Sequence, residues 1–223
     1  MSQVCKSRLL GSNLLSLSVI SVPPANNQPP AGLIVALHGF GANAQDLASV
    51  APLLNLPNYQ FLFPDAPFPN PYVSGGRMWY SFTQPQQSPQ QGYQELAQSQ
   101  QLLRDWLKSL ESTTGVPLSR TILSGFSQGG AMTLDVGLNL PLAGLIVLSG
   151  YLHPIPESTN RTFPPVLIVH GRQDSMVPLS SAYKTRDTLT TLGVAVQYHE
   201  FDMGHEIRPE VLALIQSFVK TNT

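Results

Sequence analysis

The stretch Thr121-Ile122-Leu123-Ser124-Gly125-Phe126-Ser127-Gln128-Gly129-Gly130-Ala131-Met132 restricts what this chain can fold into more than any other. A short β-branched and aliphatic run leads into Gly-x-Ser-x-Gly, and a helical pattern rich in small residues follows. That order reads as a strand, a one-residue turn and a helix. The turn crowds the backbones on both sides, and a Cβ at position 125 or 129 would strike the facing chain. Glycine at both positions lets the strand and helix close, and the Ser127 hydroxyl is lifted into the open. The helix starting near Gln128 aims its unpaired N–H groups at any negative charge forming beside that hydroxyl.

The flanking segments agree with a sheet covered on both faces. Leu33-Ile34-Val35-Ala36-Leu37, Leu145-Ile146-Val147-Leu148 and Val166-Leu167-Ile168-Val169 are apolar on both sides, as central parallel strands are. Residues 59–63 form a further strand and residues 194–201 a last one. Residues 14–21 alternate with period two and read as a half-buried strand near the sheet edge. Helical spacing marks residues 43–55, 92–114, 128–138, 179–192 and 208–219, and Gly115 and Pro117 end the second of these. The alternation predicts one α/β domain over residues 1–223, with a mostly parallel central sheet of about seven strands and helices on both faces. Residues 64–91 break the pattern. This Pro-rich loop carries Phe68, Tyr72, Trp79, Tyr80 and Phe82, too aromatic for simple disorder, and Trp79 is expected to line a substrate pocket.

Charge and cysteine content exclude several classes of function. With 12 Lys plus Arg against 13 Asp plus Glu, no basic excess draws the chain to a phosphate backbone, so nucleic acid is not an expected partner. The single cysteine, Cys5, forms no internal disulfide and offers no metal-ligand spacing, which suits a cytoplasmic location and a chain without metal or cofactor. Lys6 and Arg8 precede an apolar run that resembles a secretion signal. Ser and Asn interrupt that run, and Val22-Pro23-Pro24 stands in place of a small-residue cleavage site, so the segment is expected to belong to the fold. No stretch approaches the roughly 20 apolar residues of a bilayer span. Stable membrane insertion is therefore not expected, and a monomer or a homodimer remain as assembly states.

Two further positions complete a chemical constellation. His170-Gly171-Arg172-Gln173-Asp174 follows one central strand, and Asp202-Met203-Gly204-His205 follows the last, between a glycine and a helix. Ser127, Asp174 and His205 thus occur as nucleophile, acid and base, each just beyond a strand, in the chain order of α/β-hydrolases. His199 lies within the last strand and is the weaker base. His38-Gly39-Phe40-Gly41, beyond another central strand, leaves backbone N–H groups unobstructed. The N–H of Phe40 is the expected partner of the Gln128 N–H in holding an oxyanion, and His38 reads as a structural histidine.

These stretches, with Arg77-Met78-Trp79-Tyr80, Leu148-Ser149-Gly150-Tyr151-Leu152 and Val177-Pro178, resemble the serine esterase family of bacterial carboxylesterases, acyl-protein thioesterases and lysophospholipases. The resemblance runs from the second strand to the last helix. It implies a carboxylesterase acting on small ester or acyl substrates through an acyl-enzyme on Ser127, with lysophospholipase or thioesterase activity as the alternative. A non-catalytic hydrolase-like binding module is a remote third reading, since such modules normally lose a triad member. Phe40 stands where relatives commonly have Leu, and Met176 where a smaller aliphatic residue is usual, so Met176 joins Trp79 as an expected substrate contact.

Overall fold

A computed structural model describes residues 17–82, 89–154 and 162–223. The elements run in the order β1 (Val19–Val22), β2 (Gly32–Leu37), α1 (Ala44–Ala48), β3 (Tyr59–Pro64), β4 (Phe68–Pro69), β5 (Arg77–Met78), α2 (Pro89–Thr114), β6 (Thr121–Phe126), α3 (Gln128–Gly137), β7 (Gly144–Leu148), β8 (Val166–Gly171), α4 (Leu179–Thr191), β9 (Val196–Phe201) and α5 (Pro209–Asn222). Seven strands form one sheet in the order β1-β3-β2-β6-β7-β8-β9. Every pairing is parallel except that of the edge strand β1 with β3.

The apolar strands sort their side chains by parity, because successive residues point to opposite faces. Leu33, Val35, Leu123, Leu145, Val147, Val166 and Ile168 enter one core, against Leu103, Leu107 and Leu110 of α2 and Met132 and Leu134 of α3. Ile34, Ile122, Ile146, Leu148, Leu167 and Val169 enter the other, against Ala44 and Ala48 of α1 and Val211, Ile215 and Phe218 of α5. Burial on both faces is why these runs carry no polar alternation. A buried Leu or Ile contributes about 1.5–3 kcal/mol, so the two cores hold the sheet between both helical layers.

Several boundaries differ from the sequence expectations. The first strand is Val19–Val22, extending past Ser21, and residues 14–16 of the expected segment lie outside the described residues, as does Cys5. The helix expected over residues 43–55 is only one turn long. Asn43 caps it in a reciprocal box with Asp46, and the chain then passes to a 3-10 turn over Ala51–Leu53. Pro52 explains the break, since it lacks an N–H and disfavours α geometry in the residue before it. The expected loop over residues 64–91 contains the β4–β5 hairpin and gives way to α2 at Pro89. Arg77 closes the hairpin loop by donating from Nε to the Ala66 carbonyl and from Nη2 to that of Pro67, both at 2.8 Å. The carboxyl ends of β2, β6, β7, β8 and β9 all open on one side of the sheet.

Candidate active site

Ser127 takes φ 54° and ψ −116°, a positive φ that costs a non-glycine residue about 1–3 kcal/mol and persists only where its surroundings enforce it. They do. A Cβ on Gly125 would collide with the Gly129 carbonyl, and one on Gly129 with the carbonyls of Leu37 and His38. The Ser127 N–H donates to Leu148 O at 2.8 Å, which ties the turn to the end of β7 and removes that group from any role in anion binding.

The loop after β2 lies against the serine, since a Cβ on Gly39 would stand 3.4 Å from the Ser127 Cβ. Next to it, the Gly41 N–H is spent on Arg77 O at 2.9 Å. His38 is buried, accepts at Nε2 from the Ala66 N–H (3.0 Å) and therefore donates from Nδ1 to Gly39 O (2.8 Å). Burial lowers its pKa, and with both nitrogens engaged it is a structural part of the loop.

Gln128, fully buried at the start of α3, works through its side chain as well. Its Oε1 accepts from the Trp79 N–H at 2.9 Å and its Nε2 donates to Tyr80 O at 2.7 Å, stapling the aromatic segment to the elbow helix. The sequence carries no signal of this staple, because a glutamine after the serine looks like a helix-starting residue and nothing more. Trp79 corrects an expectation: it is 0% exposed, packs in the core cluster and donates from Nε1 to His38 O at 3.0 Å, away from the cleft. An indole with its N–H satisfied by a buried carbonyl is a packing residue. The loop aromatic that reaches the cleft is Phe82, 48% exposed and 5.1 Å from the Phe40 ring centroid.

On the other side, the Asp174 carboxylate is fully partnered. Oδ1 accepts from the Met176 N–H (2.9 Å) and the Val177 N–H (2.8 Å), and Oδ2 accepts from His205 Nδ1 (2.7 Å). Burial alone would raise its pKa. The bonds from His205, Val177 and Met176 outweigh burial and hold it below the usual aspartate range. The acid and base loops meet at Gly171, where a Cβ would strike the carbonyls of Met203 and Gly204, and Gln173 N donates to Met203 O at 3.1 Å. His170, also buried, donates from Nε2 to Val177 O at 2.9 Å and passes 3.6 Å from Asp174 Oδ2, bracing the acid loop from behind. The His-Gly pair ahead of the aspartate was its only signal in the sequence.

With Nδ1 of His205 committed to Asp174, Nε2 is the nitrogen left for the cleft. The ring is 18% exposed and rests 4.7 Å from the Phe126 ring centroid, directly before the serine. Ser127 and His205 line one cleft of about 640 Å³, with Phe40, Phe82, Tyr151, Leu152, Met176 and Lys184 among its walls. Met176 stands at its rim, 72% exposed. His199 stays on β9, beside Gln197 Nε2 at 3.0 Å, and does not face the cleft. Among the described residues no three His, Cys, Asp or Glu side chains cluster closely enough to hold a metal, and no helix is long and apolar enough to cross a membrane.

A mostly parallel sheet with a glycine-flanked serine after β6, an aspartate after β8 and a histidine after β9 defines an α/β-hydrolase. Residues 20–223 match the model of the Phospholipase/Carboxylesterase family, and the chain belongs to that family. It is 37% identical over 121 residues to acyl-protein thioesterase 1 of Neurospora crassa, a match covering 49% of each chain. It thus spans about half the length of the first curated relatives it matches. Against mouse lysophospholipase-like protein 1 it is 25% identical over 206 residues, covering 84% of this chain and 85% of that one. Among solved structures, esterase PE8 superposes with a TM-score of 0.81 at 26% identity, covering 93% of this chain and 100% of the other.

Proposed function

We propose that this chain is a serine hydrolase that cleaves carboxylic esters through an acyl-enzyme on Ser127. The observation that carries the reading is the 2.7 Å bond from His205 Nδ1 to a fully partnered Asp174, made by an imidazole that shares its cleft with the strained serine. His205 Nε2 takes the Ser127 proton as the hydroxyl attacks the ester carbonyl, and Asp174 holds the imidazole in that tautomer and stabilises its cation. The N–H groups of Phe40 and Gln128 receive the oxyanion. Gln128 supplies the first N–H of α3, and the loop of Phe40 abuts the serine through Gly39. In other serine hydrolases each such donor is worth about 3 kcal/mol. His205 then gives its proton to the leaving alcohol and activates the water that releases the acid. Phe40, Phe82, Leu152 and Met176 give the acyl portion apolar walls.

The family match and the likeness to an esterase of known structure support the class of reaction. Thioester or lysophospholipid substrates are the second reading, favoured by the names of the relatives and distinguished by kinetics across acyl chain lengths on matched ester, thioester and lysophospholipid series. The near-neutral charge and lone cysteine support a cytoplasmic enzyme acting on small acyl substrates, as monomer or homodimer, without nucleic acid or cofactor. A fluorophosphonate probe tests the core of the proposal: stoichiometric labelling at Ser127 is expected, and an unlabelled serine in folded protein would overturn it.

A further inference from the structure

Beside the proposed triad runs a chain of polar side chains that the proposed reaction does not use. Gln128 holds the Tyr80 backbone through its amide. The Tyr80 hydroxyl lies 2.5 Å from the Tyr151 hydroxyl, and Tyr151, unlike Tyr80, lines the cleft. Tyr151 comes just after β7, whose last carbonyl, that of Leu148, accepts from the Ser127 N–H, and between them Ser149 has φ 48° and Gly150 packs its backbone on Gly130 in the first turn of α3. The Tyr151 side chain is thereby held in the cleft that Ser127 lines.

Two hydroxyls in contact share one proton between them and leave the other to find its own acceptor. Tyr80 is 6% exposed, so a proton of its own left unpaired there would carry the full cost of burial. The proton of Tyr151 has the cleft to point into, and among the described residues no other protein group accepts from it. Tyr80 is therefore the donor and Tyr151 the acceptor of the pair, a direction that leaves the Tyr151 O–H free and polarised by the bond it receives. Burial pushes the Tyr151 pKa up to about 12 and that of Tyr80 higher still, so both remain protonated donors at any working pH.

We infer that the Tyr151 hydroxyl donates to an oxygen of the substrate outside the reacting carbonyl, so that the site selects esters bearing an acceptor oxygen near the scissile bond. Tyr151 is the specificity-determining residue and Tyr80 positions it. The inference rests on the proposed esterase reading. The acceptor belongs either to the alcohol portion or to the acyl portion, and these are distinguished by two substrate pairs: glycerol monobutyrate against propyl butyrate, and propyl β-hydroxybutyrate against propyl butyrate.

The full chain is assayed for kcat/KM on all three esters. Wild type is expected to prefer the oxygen-bearing member of one pair by about two- to tenfold, the range a net hydrogen bond supplies. Tyr151→Phe is expected to remove that preference, and Tyr80→Phe to reduce it in part while leaving the other pair's ratio alone. A general loss of turnover that leaves both ratios unchanged in Tyr151→Phe would assign the tyrosine a structural role and overturn the inference. Because the wild-type ratios need no variant, a wild type indifferent in both pairs overturns it even if the variants fail to fold. Turnover of propyl butyrate with no preference leaves the esterase reading standing and the inference alone defeated, whereas no turnover of any ester by the folded protein removes both.

Discussion

The molecule holds two histidine–aspartate pairs of nearly equal length. His205 Nδ1 lies 2.7 Å from Asp174 Oδ2, and His153 Nδ1 lies 2.8 Å from Asp135 Oδ2. Their carboxylates are alike in burial, and each accepts further hydrogen bonds: from two backbone N–H groups in one case, from Gln100 Nε2 at 3.0 Å in the other. What differs is the surroundings of the imidazole. His205 opens on the cleft of Ser127, while His153 meets the rings of Tyr80 and Tyr151 edge-on at 5.3 and 5.4 Å. A histidine held by an aspartate is therefore no sign of catalysis by itself. The third group decides, and among the described residues only the first pair shares a cleft with the Ser127 hydroxyl.

The strongest way to break the comparison is to remove that hydroxyl. Ser127→Ala is expected to lower turnover of a p-nitrophenyl ester by about 10⁶-fold, toward the level the oxyanion donors alone sustain. Retention of more than a few per cent of wild-type turnover would make the two pairs equivalent bystanders.

Replacing the acid comes next. Asp174→Asn keeps the shape and reverses what the Asp174 side chain offers to His205 Nδ1, and about 10⁴-fold in kcat is the expected loss. The same variant gives a pH test. The folded pKa of Asp174 lies below its ordinary value of 3.8, so the carboxylate favours folding above that value, and the advantage is lost as pH falls toward the folded pKa. The urea stability of wild type relative to Asp174→Asn should be constant near neutrality and shrink in acid. A gap that widened in acid would contradict the hydrogen-bond count around Asp174.

Trp79 sharpens the contrast from the packing side. It precedes Tyr80, whose ring meets His153, and is fully buried. Trp79→Ala should cost about 3–5 kcal/mol of unfolding free energy. Acyl-chain preference should stay near that of wild type, as measured on acetyl, butyryl and octanoyl esters. A changed preference at unchanged stability would return Trp79 to the substrate pocket.

The two pairs also show why one was readable in the sequence and the other was not. Ser127 and Asp174 follow strands with plain apolar runs, His205 follows the more polar edge strand β9, and glycines mark the turns that bring the three together, so chain order pointed to the constellation. The same apolar runs made the central sheet readable, because burial on both faces favours apolar residues on both sides of a strand. Asp135 sits inside a helix and His153 in a loop after Tyr151, with no local pattern to connect them. Their contact depends on how α3 packs against the end of β7. Trp79 was misplaced for a related reason. Composition said that the loop was aromatic, but which ring turns inward is decided by carbonyls such as that of His38, remote in the chain.

The smallest expected effect belongs to the second pair. Asp135→Asn takes the negative charge from His153 and weakens a largely buried hydrogen bond, a change worth about 1–3 kcal/mol of stability by urea denaturation. Turnover of a simple ester should fall less than tenfold, because the imidazole of His153 faces tyrosine rings and lies outside the walls of the cleft. Whatever loss occurs should come through the loop of Tyr151 and Leu152, which the pair fastens to α3, and so should appear in KM before kcat. A loss in kcat approaching that of Asp174→Asn, at modest cost in stability, would show that the second pair takes part in the chemistry, and the distinction drawn from the third group would fail.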